Sequence, residues 1–226
     1  MKQISIKTNN LLSAFGDFTE KILLTPSGRF LVFCQIPNAT LLIEGRCKEK
    51  FSEFATFNTS HLKQIPVIFQ QHISTSPFTL NDSLDTPEMA ENYWNKFASL
   101  LDGCNEIASF QMEKKFTRLL KRNVKKFNNI RIWNDTEEYE VNICGYEKIA
   151  KKKYGGELQL TLQNSLSNNF SIIVNKAAFS ELKDGSYEIA IFDNNIVTFN
   201  SIEKGWTYYA MGAVDVTEGC FMISLV

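Results

Sequence analysis

The sequence predicts an α+β fold made of two similar strand-rich halves. Short stretches of alternating apolar residues, bounded by turn residues, predict strands. Helical spacing of apolar residues predicts two helices in each half, and the elements of both halves have a similar order and length. With 226 residues, of which 44% are hydrophobic, the chain can bury a core for such a fold.

The first half begins with a predicted strand at Lys2–Lys7, in which Ile4 and Ile6 share one face. Thr8 is then expected to cap a helix, because Leu11, Leu12, Phe15 and Phe18 follow at helical spacing. Four further strands are predicted between clusters of turn residues, at Lys21–Leu24, Gly28–Gln35, Thr40–Cys47 and Phe51–Phe57. A short helix around His61–Ile65 is expected to end at Pro66.

A segment rich in Pro, Asn and Asp separates the halves. It runs from about Pro77 to Glu106 and indicates an exposed connection, with a helix near Glu88–Leu101. We therefore expect an N-terminal domain at 1–80, a connector at 81–108 and a C-terminal domain at 109–226.

The second half repeats the pattern, starting with a long helix at Glu113–Phe127. A second, short helix is expected at Lys176–Leu182, where Asp184 and Gly185 stop it. The remaining elements are predicted strands: Asn129–Trp133, Glu138–Gly145, Gly156–Leu162, Phe170–Val174, Ser186–Phe192, Ile196–Ile202 and Trp206–Val214.

The long helix is the strongest functional signal. Placed on a helical wheel, its apolar residues form one arc and its cations the other. The apolar arc contains Phe116, Leu119, Leu120, Val124 and Phe127. The cationic arc contains seven of the 24 Lys and Arg residues: Lys114, Lys115, Arg118, Lys121, Arg122, Lys125 and Lys126.

Glu113 is the only acid near these cations, and none has an acidic partner at i,i+4 spacing. Unpaired like charges repel one another, which favours a phosphate backbone as their counter-charge over a merely solvated face. The lack of interleaved exposed aromatic, Asn or Gln side chains favours phosphate contact over base readout or stacking on single strands. A membrane-surface helix would show the same pattern, but here the apolar arc is needed for the core.

Other function classes have little support in the sequence. His61 and His72 are the only histidines and stand in no metal-binding or catalytic pattern, and no phosphate-binding glycine motif is present. The five cysteines show no Cys-x-x-Cys spacing, which argues against a zinc site or a disulfide framework. We therefore expect no catalytic residues, no cofactor and no metal. Without a signal or membrane segment, a cytoplasmic protein is expected.

Several segments resemble the DNA polymerase sliding clamps of large tailed bacteriophages, whose fold is related to that of proliferating cell nuclear antigen. The similarity is densest from Asn169 to Asn175 and from Asp184 to Ile191, around a "GxY" strand start. Thr8 to Phe15 and the "SGxF" segment Ser27–Phe30 are similar to the first helix and strand of the family. Further similar segments are Phe116–Arg122, Gly145–Tyr146, Val197–Phe199 and Tyr208–Met211, and the resemblance as a whole extends over about two thirds of the chain.

The resemblance implies two clamp domains per chain, with helices lining one face, and a closed ring of three chains around duplex DNA. It implies a non-enzymatic processivity factor whose partners are a replicative DNA polymerase, a clamp-loader ATPase and further copies of itself, with no membrane. It adds Lys7, Lys63 and Lys176, near the other helices, to the DNA-binding candidates. The alternatives are a monomeric DNA-binding processivity factor and a clamp-like scaffold that binds an acidic protein.

Overall fold

The computed structural model describes residues 2–15, 21–36, 39–59, 78–80, 84–123, 127–135, 140–149, 152–163 and 170–214. The chain forms two compact units. The first comprises Met1–Gln35 and Leu42–Asp102, and the second comprises Ile36–Leu41 and Gly103–Val226. Both units are rich in strands with a few helices, so the predicted α+β class is confirmed. The domain boundaries at 1–80, 81–108 and 109–226 stay a prediction.

The first unit contains a sheet with the strand order β4-β3-β2-β5 and a separate antiparallel pair, β1 and β6. Its strands are β1 (Lys2–Ile4), β2 (Lys21–Leu24), β3 (Arg29–Ile36), β4 (Ala39–Arg46), β5 (Ala55–Asn58) and β6 (Phe78–Leu80), except that the end of β3 and the start of β4, within Ile36–Leu41, belong to the second unit. Its helices are α1 (Ile6–Ser13) and α2 (Pro87–Ala98), and a 3-10 turn at Ser99–Leu101 follows α2.

The β2–β3 ladder lies at the centre of this unit and is covered on both faces. Leu23 pairs with Leu31 and both are fully buried. On one face Phe30 contacts Phe15, just after α1, with ring centroids 6.0 Å apart. On the other face Arg29 lies over the Trp94 ring of α2 at 4.6 Å. Strands covered on both sides are apolar throughout, which explains why Ile22, Leu23 and Leu24 lack alternation.

Helix α1 begins two residues before the predicted cap. Ser5 is the N-cap, and its hydroxyl accepts a hydrogen bond from the Thr8 N–H at 3.3 Å. The predicted strand Lys2–Lys7 therefore ends at Ile4. Thr8 is 3% exposed and donates its hydroxyl proton to Glu49 Oε2 at 2.5 Å, while Glu49 Oε1 accepts from the Ser5 N–H at 2.8 Å. The cap prediction was wrong because Ser5 is an equally good capping residue.

Two further predictions for this half need correction. The strand expected at Phe51–Phe57 comprises only Ala55–Asn58. The segment expected as an exposed connection contains β6 and the helix α2, whose N-cap Thr86 and N1 residue Pro87 start it in the usual way. The helix near Glu88–Leu101 is thus confirmed, whereas the one at His61–Ile65 lies outside the described residues.

The second unit has one continuous sheet with the order β7-β12-β13-β14-β11-β8-β9-β10. The strands are β7 (Glu106–Met112), β8 (Asn129–Asp135), β9 (Glu140–Ile149), β10 (Lys152–Gln163), β11 (Ser171–Asn175), β12 (Tyr187–Phe192), β13 (Ile196–Ser201) and β14 (Thr207–Val214). The helices are α3 (Lys114–Asn123) and α4 (Lys176–Ser180). Strand β7 was missed, although its alternation of Ala108, Phe110 and Met112 is typical of a strand with one buried face.

Strand β14 joins the two halves of this sheet. Its first part pairs with β13, from Thr207 to Met211, and its last part pairs with β11, where Gly212 lies opposite Val174. A side chain on Gly212 would overlap Ile172, since an added Cβ would lie 2.5 Å from Ile172 Cδ1. The core of this unit includes Phe199, which the α4 residue Phe179 contacts edge to face at 5.1 Å.

Candidate nucleic-acid interface

Helix α3 starts directly after the buried end of β7. The Glu113 carbonyl accepts hydrogen bonds from the N–H groups of Phe116 and Thr117, at 2.9 and 3.1 Å. The Lys114 N–H has no partner within the helix and donates instead to Ser186 Oγ at 3.2 Å. The start of the basic helix is therefore fixed to the beginning of β12.

The buried face of α3 differs from the predicted apolar arc. Thr117 and Leu120 are each 1% exposed, whereas Leu119 is 39% exposed. The Thr117 hydroxyl is satisfied locally, because it donates to the Glu113 carbonyl, so a polar residue can lie on the inner face. The predicted assignment of Leu119 to that face was wrong.

The end of the helix also differs from the prediction. The described part of α3 ends at Asn123, and Phe127 is not helical. Phe127 instead packs on β9, where a Cβ added to Gly145 would lie 2.1 Å from its ring. The aromatic ring thus requires a glycine at position 145. Val124, Lys125 and Lys126 lie outside the described residues.

Five predicted DNA-binding cations lie on the described part of α3. Lys115, Arg118 and Arg122 are exposed, and Lys114 and Lys121 are half-buried. The expectation that the cations lack partners was wrong for three of them. Lys115 forms an ion pair with Glu113 at 2.9 Å, Arg118 Nε donates to Asp184 Oδ2 at 2.8 Å, and Lys121 Nζ donates to the Leu182 carbonyl at 2.5 Å.

Arg122 is exposed, and no ion pair is found for it within the described parts of the chain. Together with Arg118, Lys121 and Asp184 it lines an open depression of about 480 Å³. Three cations around one carboxylate leave a net positive surface. Such a surface, with guanidinium and ammonium donors, suits the oxygens of a phosphate.

Asp184 is an acid that no local sequence pattern connects with this helix. The hydrogen bond from Arg118 lowers the pKa of the Asp184 carboxyl, partial burial opposes this, and the charges of Arg118, Lys121 and Lys114 lower it further. The carboxyl is therefore ionised at neutral pH. Its contact with Arg118 spans 66 residues of sequence, so no i,i+4 pattern could indicate it.

The loop that carries Asp184 is held by two buried tyrosines. Tyr187 donates its hydroxyl proton to the Lys183 carbonyl at 2.6 Å, and the Lys183 N–H donates to the Tyr208 hydroxyl oxygen at 3.2 Å. The two rings pack edge to face at 6.0 Å. Burial raises the pKa of Tyr187 to about 12, so its hydroxyl keeps its proton. The backbone at 183 is thus bonded on both sides, which fixes where Asp184 and the Leu182 carbonyl meet α3.

The structure says less about the other candidate cations. Lys176 is the half-buried first residue of α4, and α4 lies against α3. Lys7 lies in α1 of the first unit. Lys63 lies outside the described residues, as do Lys125 and Lys126. DNA binding by all ten candidates stays a prediction.

No group of three or more His, Cys, Asp or Glu side chains that could hold a metal ion occurs within the described residues. Among the helices of the described segments, none has the length and apolar character needed to cross a membrane.

Comparison with solved structures shows what this arrangement resembles. The structure is similar to DNA polymerase III subunit beta from Borrelia burgdorferi, with a TM-score of 0.58 and 9% identity over 97% of this chain. The subunit from Thermotoga maritima gives a TM-score of 0.59 and 9% identity over 96% of this chain. The chain has a sliding-clamp fold.

The clamp fold is shared with an archaeal structure of different length. A chain of the PCNA2–PCNA3 complex from Sulfolobus tokodaii matches with a TM-score of 0.51 and 11% identity, over 91% of this chain and 95% of that one. By contrast, the present chain spans 65% of the length of the two bacterial subunits. No protein-family model matches the sequence, and comparison with curated proteins gives no match.

Proposed function

We propose that this protein is a sliding clamp: a non-enzymatic, ring-forming subunit that encircles duplex DNA and makes a replicative DNA polymerase processive. The observation that carries the proposal is the surface of α3 on a clamp fold. There Arg118, Lys121 and Arg122 surround one open depression, and Lys115 extends the row of cations.

Phosphate contact by this surface explains how a ring could hold DNA and still slide. Phosphates repeat at every base pair, so cations that contact them exchange one for the next without breaking any base-specific bond. The attraction has no sequence preference and weakens steeply with salt, because it depends on release of condensed counterions. Retention on DNA then comes from enclosure rather than from affinity.

The proposed ring contains three copies joined head to tail. Such a heterologous contact gives a closed ring only if the three rotations between neighbouring copies add up to a full turn; otherwise an open filament forms. The match over 95% of the Sulfolobus tokodaii chain supports a subunit of the PCNA type. The similarity of the segments around Asn169–Asn175 and Asp184–Ile191 to clamps of large tailed bacteriophages supports the phage type. A clamp-loader ATPase and a polymerase are the proposed partners.

A monomeric DNA-binding processivity factor is the second candidate. The uneven charge favours it, because α3 carries five cations within its bounds and α1 carries only Lys7. A chain that binds DNA through one helix does not need a second DNA-binding helix in its other unit. Such a factor would bind linear duplex regardless of whether the DNA ends are blocked.

A duplex tethered to beads by one end separates the two candidates. Protein is bound at low salt, the free end is blocked with streptavidin or left open, and salt is raised to weaken phosphate contacts. A ring stays on blocked DNA and leaves open DNA. Equal loss from both would exclude enclosure and favour the monomeric factor, and sedimentation equilibrium should then give 25.8 kDa rather than three times that mass.

Charge reversal tests whether α3 faces the DNA. Lys115→Glu with Arg122→Glu should abolish low-salt binding to duplex, because both side chains are exposed and neither contributes to the core. Lys96→Glu, which reverses one exposed cation on α2, is the control and should bind nearly as wild type does. Unchanged binding by the double variant would exclude both DNA-facing functions and leave the scaffold alternative.

A further inference from the structure

Asp184 places a negative charge inside the cationic surface of α3. The Asp184 and Arg118 side chains are 50% and 53% exposed, and Arg118 Nε lies 2.8 Å from Asp184 Oδ2. Both groups therefore face solvent at the rim of the depression that Lys121 and Arg122 also line. A carboxylate in this position lowers the positive potential that a phosphate would encounter.

The position of this carboxylate is built by the fold. The loop before it is held at Lys183 by the hydroxyls of Tyr187 and Tyr208, and at Leu182 by the ammonium group of Lys121. The loop cannot move away from α3 without breaking these bonds. An exposed ion pair on a mobile loop would have no defined effect, whereas a fixed one acts on every encounter with an anion.

A carboxylate and a phosphate use the same donor. The planar guanidinium group of arginine binds either anion through N–H donors in similar geometry. Arg118 cannot direct the same Nε–H fully to both at once. The Nη groups of Arg118 remain available, but a bidentate phosphate contact that includes Nε must replace the bond to Asp184, and the carboxylate repels any phosphate at Arg118.

We propose that Asp184 is an internal counterion of the DNA-binding surface: it competes with phosphate for Arg118 and keeps the binding of the protein to duplex weak and readily exchanged. This inference rests on the proposed function. Asp184 acts through Arg118 and is a positioning residue. A clamp held by enclosure gains from weak contacts, since each tight one would slow sliding.

The test is Asp184→Asn, measured by fluorescence anisotropy on a labelled duplex between about 50 and about 200 mM salt. The variant should bind about twofold to fivefold more tightly than wild type at the lower salt. Its plot of log affinity against log salt should be steeper by about 0.9, because Arg118 becomes a full phosphate contact. A merely structural role for Asp184 would not steepen the salt dependence.

Two controls define the result. Asp193→Asn removes the same charge from an exposed turn, where Asp193 accepts from Asn105 Nδ2, and it should leave the slope unchanged. Arg118→Gln should cancel the gain when combined with Asp184→Asn. Equal slopes for Asp184→Asn and Asp193→Asn would overturn the inference, as would a gain that persists without Arg118.

Failure of the proposed function gives a different pattern. If wild type and every variant fail to bind duplex at low salt, and wild type is also lost equally from blocked and open DNA on beads, the proposed function is wrong. The counterion role is then decided with inorganic phosphate, which should raise the melting temperature of Asp184→Asn more than that of wild type or Asp193→Asn. Equal shifts for the three proteins would contradict it.

Discussion

Helices α1 and α3 hold equivalent places in their units but differ in charge. Each follows the first strand of its unit and buries a leucine almost completely, Leu12 in α1 and Leu120 in α3, both 1% exposed. Helix α1 contains one lysine, whereas α3 contains five cations. Docking to the core is therefore a shared property of the two helices, while the strongly basic surface belongs to α3 alone.

Each helix also forms hydrogen bonds with a carboxylate from a distant part of its unit. Glu49 accepts from the Ser5 N–H and the Thr8 hydroxyl, at the start of α1. Asp184 accepts from the Arg118 guanidinium group, on the exposed side of α3. A carboxylate that binds backbone at a helix N-terminus stabilises the fold. One that binds an exposed cation changes the surface potential instead.

The largest expected effect tests whether α1 and α3 are both docked to the core of their units. Leu12→Ala and Leu120→Ala should each lower the free energy of unfolding by about 2–5 kcal/mol, because each removes buried methyl groups and leaves a cavity. Leu119→Ala, at a position that is 39% exposed, is the control and should cost much less. Urea unfolding of the three variants measures this. A small cost at either buried leucine would mean that its helix is not docked as described.

The next effect tests the difference in charge. Arg122→Gln should weaken duplex binding about tenfold at low salt and reduce the slope of log affinity against log salt by about 0.9, as expected for one lost phosphate contact. Lys7→Gln in α1 should change both quantities by less than half as much. Salt titrations followed by anisotropy compare the two variants. Equal losses would show that both helices share the DNA contact.

How much of the fold and of the α3 surface could be predicted depends on how far apart in the sequence the interacting residues lie. The α+β class and strands such as Lys21–Leu24 were predicted correctly because alternation, apolar runs and turn residues are local signals. The basic surface of α3 was found for the same reason. Strand β7 carried a local signal, its alternating apolar residues, that went unused.

Contacts between distant residues could not be predicted. The hydrogen bonds from Arg118 to Asp184 and from Thr8 to Glu49 span 66 and 41 residues. They exist only because the strands bring those segments together, and no spacing rule in one sequence encodes them. Thr117 differs from these, because its hydroxyl is satisfied locally by the Glu113 carbonyl, and a pattern of apolar residues does not register a buried polar side chain of this kind.

The smallest expected effect tests whether Glu49 stabilises the fold while Asp184 changes DNA binding. Burial acts to raise the pKa of Glu49, but the hydrogen bonds from Ser5 and Thr8 outweigh it, and the pKa is lowered. A lowered folded-state pKa stabilises the protein fully above the unfolded value of about 4.3, and this stability is lost as pH falls through the folded pKa. Glu49→Gln should therefore cost about 1 kcal/mol near neutral pH, the typical value of one hydrogen bond.

The pH dependence and the DNA affinity make this last prediction specific. The difference in urea midpoint between wild type and Glu49→Gln should shrink as pH falls through the acid range, since wild type loses the charged acceptor there. Glu91→Gln, on the exposed face of α2, should show no such difference. Duplex affinity should be unchanged in Glu49→Gln but raised in Asp184→Asn. If Glu49→Gln raised DNA affinity as well, α1 would also face the duplex. The proposal that only α3 contacts DNA would then be wrong.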